Sequence, residues 1–355
     1  MIRDIQIENY RGIENLKVDK FGKYNFFVGD NGSCKTTLLE AILCSLPSWT
    51  SGIIATANSR GMLVKNNNID NFFHNSNSEK EMKFTLNNEI ITKIKVNKKN
   101  DLLKENFLSL KTQEFNGDKI SVNGEIYEFL YNISKETLDK KILDVDIMMN
   151  KSFRLHERLN MFDDEINLYT KNYKSNNSFW ISPITKFQIG TADVVQKIIE
   201  NKQKDKMLEI LNIFEKDIDD IAVNEEQILL SKKNINKMLS LSSFGNGLAA
   251  ILDICSCLIL NDIKYLFIDE IETGIHYLNY PNLCKTLIEI SSKKDMQVFI
   301  TTHSREFLEV FYKEIEKSKD SVSLHRFQKK NNELKKVYYD RKRAIDALKN
   351  GWDVR

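Results

Sequence analysis

Two stretches of this chain carry residue types that can do phosphate chemistry. Gly29-Asp30-Asn31-Gly32-Ser33-Cys34-Lys35-Thr36 has the spacing of a phosphate-binding loop, Gly-x-x-x-x-Gly-Lys-Thr, except that Cys34 stands where the second glycine is expected. In such a turn the backbone N–H groups of Asn31, Gly32, Ser33, Cys34, Lys35, Thr36 and Thr37 face phosphate oxygens, and the helix that comes next adds its favourable N-terminal dipole. Lys35 reaches the β- and γ-phosphates, and Thr36 ligates Mg²⁺. The second stretch, Tyr265-Leu266-Phe267-Ile268-Asp269-Glu270, is an apolar strand that delivers two acids at its C-terminal end. Asp269 is placed to hold Mg²⁺ through water, and Glu270 to polarise the attacking water as general base.

Two weaker signals lie near the acidic strand. Gln297–Thr301 reads as a strand that ends in Thr302-His303-Ser304, where the imidazole of His303 can sense a γ-phosphate. Leu241-Ser242-Ser243-Phe244-Gly245-Asn246-Gly247 precedes a helix and offers an anion the Ser243 hydroxyl and the Gly245 amide. Taken singly, each has a plain alternative: solvated acids at a strand end, a structural histidine, an ordinary Ser-Gly helix cap. Their order along the chain is what joins them into one site.

The elements that must position these residues can be read from pattern. Tyr24–Val28 is an apolar strand, and Leu38, Leu39, Ile42 and Leu43 repeat at helical spacing from Lys35 until Pro47. From Leu248 onward strands and helices alternate, the signature of an α/β fold with a parallel sheet. Between these blocks, Met82–Leu86 and Ile90–Val96 flank Asn87-Asn88 as a hairpin, with more strand pattern at Ile120–Val122. Ile142, Leu143, Ile147, Phe153, Leu159, Phe162 and Ile166 mark an amphipathic helical region, and Ala192–Ile221 a second one. Ile228–Leu230 and Ile235–Leu239 read as a further hairpin. The expected organisation is a head formed by residues 1–50 and 225–355, a β-rich excursion over 51–130 and a helical insertion over 131–224.

Composition narrows the class without choosing the function. With 355 residues, 41% hydrophobic and 29% charged, the chain can bury one large domain plus an insertion. The net charge of +2 makes no global case for nucleic acid. Local clusters do exist, from Lys93 to Lys111 and at Arg326, Lys329, Lys330, Lys335, Lys336, Arg341, Lys342 and Arg343. These fit either DNA contact or a solvated lysine-rich surface. Five cysteines show no metal-like framework, so buried free thiols in a reducing compartment are expected. No apolar run reaches membrane-spanning length, and a cytoplasmic location is expected.

Gly-x-Asn-Gly-Ser-Cys-Lys-Thr-Thr, Ser-x-Gly-x-Gly, Φ-Φ-Ile-Asp-Glu and Thr-Thr-His-Ser, in that order, resemble the ABC-type ATPase heads of SMC, Rad50 and RecF proteins. The opening Ile7-Glu8-Asn9-Tyr10-Arg11-Gly12-Ile13 is similar to the start of those heads. Asp269-Glu270-Ile271-Glu272-Thr273-Gly274-Ile275-His276 resembles the AAA15 or OLD-like branch. The resemblance implies an α/β P-loop NTPase of ABC-ATPase type, with a mixed sheet flanked by helices. It implies a head-to-head dimer binding ATP and Mg²⁺, in which Ser243 and Gly245 of one protomer close over nucleotide held by Lys35, Thr36, Asp269, Glu270 and His303 of the other. Two departures stand out: Phe244 interrupts the small residues of the signature, and no lid glutamine can be assigned. A fused TOPRIM nuclease is not expected, because no Asp-x-Asp comes after His303. The resemblance then implies either an ATPase that controls a separate effector, such as a nuclease, in anti-phage defence, or a RecF-like DNA-binding repair ATPase.

Overall fold

The computed structural model describes residues 1–46, 56, 69–97, 127–136, 141–150, 178–183, 190–224, 227–260, 263–330 and 333–354. The chain divides into two compact units, one of residues 1–3, 20–39 and 176–355, the other of residues 4–19 and 40–175.

The first unit is built on a six-stranded sheet. Its strands are β3 (Tyr24–Gly29), β8 (Ser178–Ile181), β12 (Tyr265–Ile268), β13 (Gln297–Thr301), β14 (Val322–Lys330) and β15 (Glu333–Asp340), in the order β15-β14-β3-β13-β12-β8. All neighbours run parallel except β14 and β15. A parallel sheet buried on both faces needs apolar residues at successive positions, and β3 and β13 are buried along their whole length. One face carries an aromatic layer in which Phe267 and Phe299 stack at 5.1 Å, with Phe27 and Phe327 beside them. The other carries Phe26, Leu266, Ile268, Val298 and Ile300, which join one continuous core with the helices.

That core receives α4 (Asn246–Ile259), buried at every residue from Leu248 to Ile259. A helix apolar on all sides belongs inside a core. α5 (Tyr280–Lys293) packs on α4, α6 (Arg305–Ile315) packs on α5, and α7 (Arg341–Lys349) comes after β15. Three strands, β9 (Ile218–Asn224), β10 (Gln227–Lys232) and β11 (Leu239–Ser240), form a small antiparallel sheet in the order β11-β10-β9. It is preceded by α2 (Gly190–Glu200) and α3 (Lys204–Phe214).

The second unit holds an antiparallel sheet of six strands. They are β1 (Ile5–Tyr10), β2 (Ile13–Val18), β4 (Met82–Leu86), β5 (Ile90–Asn97), β6 (Tyr127–Glu136) and β7 (Lys141–Asn150), in the order β2-β1-β4-β5-β6-β7. Asn87 and Asn88 both adopt φ 55°, the backbone a two-residue hairpin needs and asparagine tolerates. Ile5, Ile7, Met82, Phe84 and Leu86 form its buried row, closed by the edge of Tyr10 on Phe84 at 5.1 Å. The Arg11 guanidinium lies over Phe72 and Tyr10, 3.7 Å from Glu40. The helix α1 (Lys35–Ser45) passes from the first unit into the second.

The helical insertion expected over 131–224 differs from what is found. Ile142, Leu143 and Ile147 lie on β7, paired with β6. The β-branched residues of β7 suit a strand as well as a helix, and an antiparallel partner decides between them. Phe153, Leu159, Phe162, Ile166 and Ile120–Val122 lie outside the described residues. The predicted helix over 192–221 breaks at Asn201–Gln203, where Lys202 takes φ 57°, and Ile218 and Ile221 belong to β9. The main partner of β10 is therefore β9 rather than the segment after it.

Candidate active site

Four parallel strands, β3, β13, β12 and β8, end at one edge of the first unit's sheet, and the turns beyond those ends build the candidate site. After β3 the chain turns tightly, with Ser33 N–H donating to Asp30 O at 3.2 Å. Gly29 takes φ 137°, and a β-carbon there would stand 2.0 Å from the Phe327 carbonyl oxygen of β14. Only glycine permits that approach. Gly32 takes φ 75° and, unexpectedly for its type, Cys34 takes φ 65°. Cys34 thus keeps the left-handed backbone of the glycine it replaces, at a cost of about 1–2 kcal/mol for an L-residue. Its thiol lies 3.8 Å from Gly32 O. Asn31 and Gly32 are exposed, while Ser33 and Thr37 are buried.

Lys35 opens α1 and folds back over the loop. Its ammonium donates to Gly29 O at 2.8 Å, Asp30 O at 2.9 Å and Ser33 Oγ at 3.4 Å. Burial pushes this ammonium below its ordinary pKa, against the pull of Asp269, Glu270, Asp30 and Glu272. One residue on, the Thr36 hydroxyl donates to both Asp269 oxygens, at 3.0 and 3.1 Å. The pairing expected from sequence between the phosphate loop and the acidic strand is therefore made by direct contact.

Asp269 and Glu270 are set by their neighbours at the sheet edge. The Asp269 N–H donates to Ile181 O of β8 at 2.8 Å. Thr301, buried at the end of β13, donates its hydroxyl to Asp269 Oδ1 at 2.6 Å and accepts the Glu270 N–H at 2.8 Å. Glu270 leaves the strand with φ 48°, and its carboxylate accepts the Thr273 hydroxyl at 3.1 Å. Thr36 and Asp269 form a hard oxygen set of the kind Mg²⁺ prefers when phosphate completes its shell. Among the described residues there is no cluster of three His, Cys, Asp or Glu side chains able to hold a metal alone.

His303 lies just past β13, its backbone N–H bonded to Glu272 Oε1 at 2.6 Å. Ser304 caps α6 by accepting the Phe307 N–H at 3.0 Å. Ser243 lies in a 3₁₀ turn over Leu241–Phe244, and Gly245 leaves it at φ 81°. Both are exposed and make no hydrogen bond to the phosphate loop among the described residues. The residues just after them approach the turn beyond Glu270, for a β-carbon on Gly247 would stand 3.0 Å from Gly274 O. Sequence reasoning did not single out Thr301, Ile181 or β8 for the site. Thr301 was visible only as one member of Thr-Thr-His-Ser, and β8 is a four-residue strand with no periodic signal of its own.

A phosphate loop, an acidic strand end and a third strand-end loop on one parallel sheet define a P-loop ATPase of the ABC type. Within that class, the chain belongs to the family described as "AAA domain, putative AbiEii toxin, Type IV TA system", whose model matches residues 24–309. It is 28% identical over 339 residues to an ATP/GTP phosphatase of Helicobacter pylori, covering 87% of each protein. It is 25% identical over 248 residues to the DNA replication and repair protein RecF of Leptospira interrogans, covering 66% of this chain and 62% of that protein. Among solved structures, an SMC head bound to the C-terminal winged-helix domain of ScpA superposes over 96% of this chain and 98% of that one, with TM-score 0.53 at 12% identity. A second SMC head with an extended coiled coil, bound to the C-terminal domain of ScpA derived from Pyrococcus furiosus, gives 0.52 at 11% identity, covering 98% of each chain. At such identities the likeness is one of fold.

Proposed function

We propose that this ATPase is a Mg²⁺-dependent dimeric switch of the AAA15/OLD-like kind, controlling a separate effector, such as a nuclease, in bacterial anti-phage defence. The observation that supports this reading is the Thr36–Asp269–Thr301 chain of hydrogen bonds, which joins the phosphate loop to the acidic strand end. In this reading the N–H groups from Asn31 to Thr37 bind the phosphates, and Lys35 swings from the loop carbonyls to the terminal phosphates. Thr36 and Asp269 would hold Mg²⁺, which would supply charge neutralisation at the phosphates. Glu270 takes the proton of the attacking water, and His303 senses the γ-phosphate. The defence role is supported by the abortive-infection toxin in the family's description.

Dimerisation is supported by the exposure of Ser243 and Gly245 and by an uncovered apolar pair in the segment that follows the acids, Tyr277 at 60% and Leu278 at 68% exposure. Ser243 and Gly245 of a second protomer close the site, so ATP joins the heads and hydrolysis releases them. Glu270→Gln is expected to bind MgATP and roughly double in mass by light scattering, while its turnover falls about a hundredfold or more. Lys35→Ala is expected to remain monomeric. Wild-type turnover by Glu270→Gln refutes the general base, and an unchanged mass refutes the dimer.

A second reading, RecF-like clamping on DNA, is favoured by the β14–β15 hairpin, whose end carries Lys329, Lys330, Lys335 and Lys336 on its two strands. Strong stimulation of the purified ATPase by duplex DNA, lost steeply with salt, would establish it over the effector-dependent reading.

A further inference from the structure

Glu272 has no part in the roles above, yet both its oxygens are engaged at the site. It stands in the turn just past Glu270, and its carboxylate crosses to the end of β13. Oε2 accepts the Thr302 hydroxyl at 2.7 Å, and Oε1 accepts the His303 backbone N–H at 2.6 Å. Thr302 Oγ1 in turn accepts the Ser304 N–H at 3.0 Å, and Ser304 caps α6. One side chain thus fixes Thr302 and His303 directly, and Ser304 through Thr302.

The carboxylate is aimed by its own turn. Ile271 and Ile275 are buried on either side of it. The Ile271 N–H donates to Thr301 O at 3.2 Å, Thr273 N–H to Glu270 O at 2.9 Å, and Ile275 N–H to Glu272 O at 3.0 Å. The location of the grip separates positioning from mere stabilisation. β13 is held by ladders to β12 and β3 as far as Thr301, and Thr302 N–H still donates to Phe27 O at 3.3 Å. Strand pairing therefore does not set the backbone direction of His303. Glu272 acts at the point where pairing stops, through hydrogen bonds to a carboxylate, which are among the stronger ones available.

We infer that Glu272 is a positioning residue for hydrolysis. It fixes His303 relative to Glu270, so that the base and the γ-phosphate sensor keep one geometry while nucleotide enters and leaves. The inference rests on the assignment of His303 under the proposed function, and it concerns a residue that touches neither water nor phosphate.

The test compares the full chain with Glu272→Ala, Glu272→Gln, His303→Ala and the double variant Glu272→Ala/His303→Ala, in steady-state ATP hydrolysis and in MgATP binding. Displacing a reacting group by about 1 Å costs on the order of a hundredfold, so Glu272→Ala should lower kcat roughly tenfold to a hundredfold, with KM and MgATP affinity changed less than about threefold. Glu272→Gln should recover part of the loss, because its amide oxygen can still accept one of the two bonds. The double variant should be no slower than His303→Ala, within about twofold, since the two residues act as one unit. Additive losses, a wild-type kcat for Glu272→Ala, or an effect confined to KM would overturn the inference while leaving the His303 assignment intact. A wild-type kcat for His303→Ala would overturn the assignment itself, and this inference with it. If Glu272→Ala does not fold, Glu272→Gln carries the same comparison in the wild-type and His303→Ala backgrounds.

Discussion

Replacing Thr301 by valine keeps its shape and removes one hydroxyl, yet that hydroxyl serves both acids. It donates to Asp269 Oδ1 at 2.6 Å and accepts the Glu270 N–H at 2.8 Å. A hydrogen bond to a charged group is worth about 1.5–3 kcal/mol, and an amide left without its partner costs about 1–3 kcal/mol more. The valine methyl returns about 1 kcal/mol of apolar burial. The balance is a loss of about 3 kcal/mol, or a fall in Tm of roughly 6–12 °C at about 2–4 °C per kcal/mol for a unit of this size. Freed from Thr301, the Glu270 turn also relaxes from its left-handed backbone, so turnover should fall at least tenfold while MgATP still binds through the loop. Thr301→Ser keeps the hydroxyl, loses one methyl at about 1 kcal/mol, and should keep near-normal turnover. Thermal unfolding and ATPase assays on the three proteins decide the matter. A Thr301→Val protein within about 1 kcal/mol of the wild type and fully active would show that Asp269 and Glu270 are held by something else.

Cys34→Gly should stabilise the chain by about 0.5–1 kcal/mol, because relief of a left-handed cost of about 1–2 kcal/mol exceeds the added unfolded-state entropy of about 0.4–1 kcal/mol. A measurable loss of stability would mean that the Sγ contact to Gly32 O holds the turn. Gly29→Ala and Gly32→Ala should differ sharply in MgATP binding and in Tm, since a β-carbon meets a backbone oxygen at 2.0 Å in the first and nothing within 4 Å in the second. Equal behaviour of the two would refute the close approach of β14. Asp320 gives a pH prediction. Burial alone would raise its pKa, but hydrogen bonds from Ser292 and Ser318 and the Lys23 ammonium outweigh it and hold the carboxyl below its ordinary value. A depressed carboxyl pKa stabilises the fold above the unfolded value and ceases to do so as pH falls through the folded one. The Tm advantage of the wild type over Asp320→Asn, present at neutral pH, should therefore begin to shrink below about pH 4 and be lost only as pH falls through the lower folded value.

What was legible in the sequence was the set of strands whose burial is continuous. Tyr24–Val28, Tyr265–Ile268 and Gln297–Thr301 are mainly apolar, so their ends could be located and the groups after them expected at one edge. Contacts that depend on register were not legible. Thr301 meets Asp269 because β13 pairs with β12 in the register Ile300↔Ile268, and no residue type announces that alignment. The same holds for β8, recruited beside β12 by pairing alone. The segment over 131–150 misled because apolar marks spaced for a helix also suit a strand, and its partner β6 carries no stronger signal. Cys34 could be read from sequence only as a departure from glycine. Its positive φ shows that the backbone of the loop outlasts the change of residue.

The closeness of Gly29 to Phe327 also bears on the order in which the protein can come into being. β3 lies between β13 and β14, both of which are synthesised long after it. The phosphate loop, encoded near the start of the chain, lacks one wall until Phe327 has left the ribosome and paired with Gly29. Pairings so distant in sequence form late and slowly. A nascent chain thus carries its phosphate-loop motif without the wall that closes it through most of translation, and a product broken off before β14 would lack the strand that packs on Gly29.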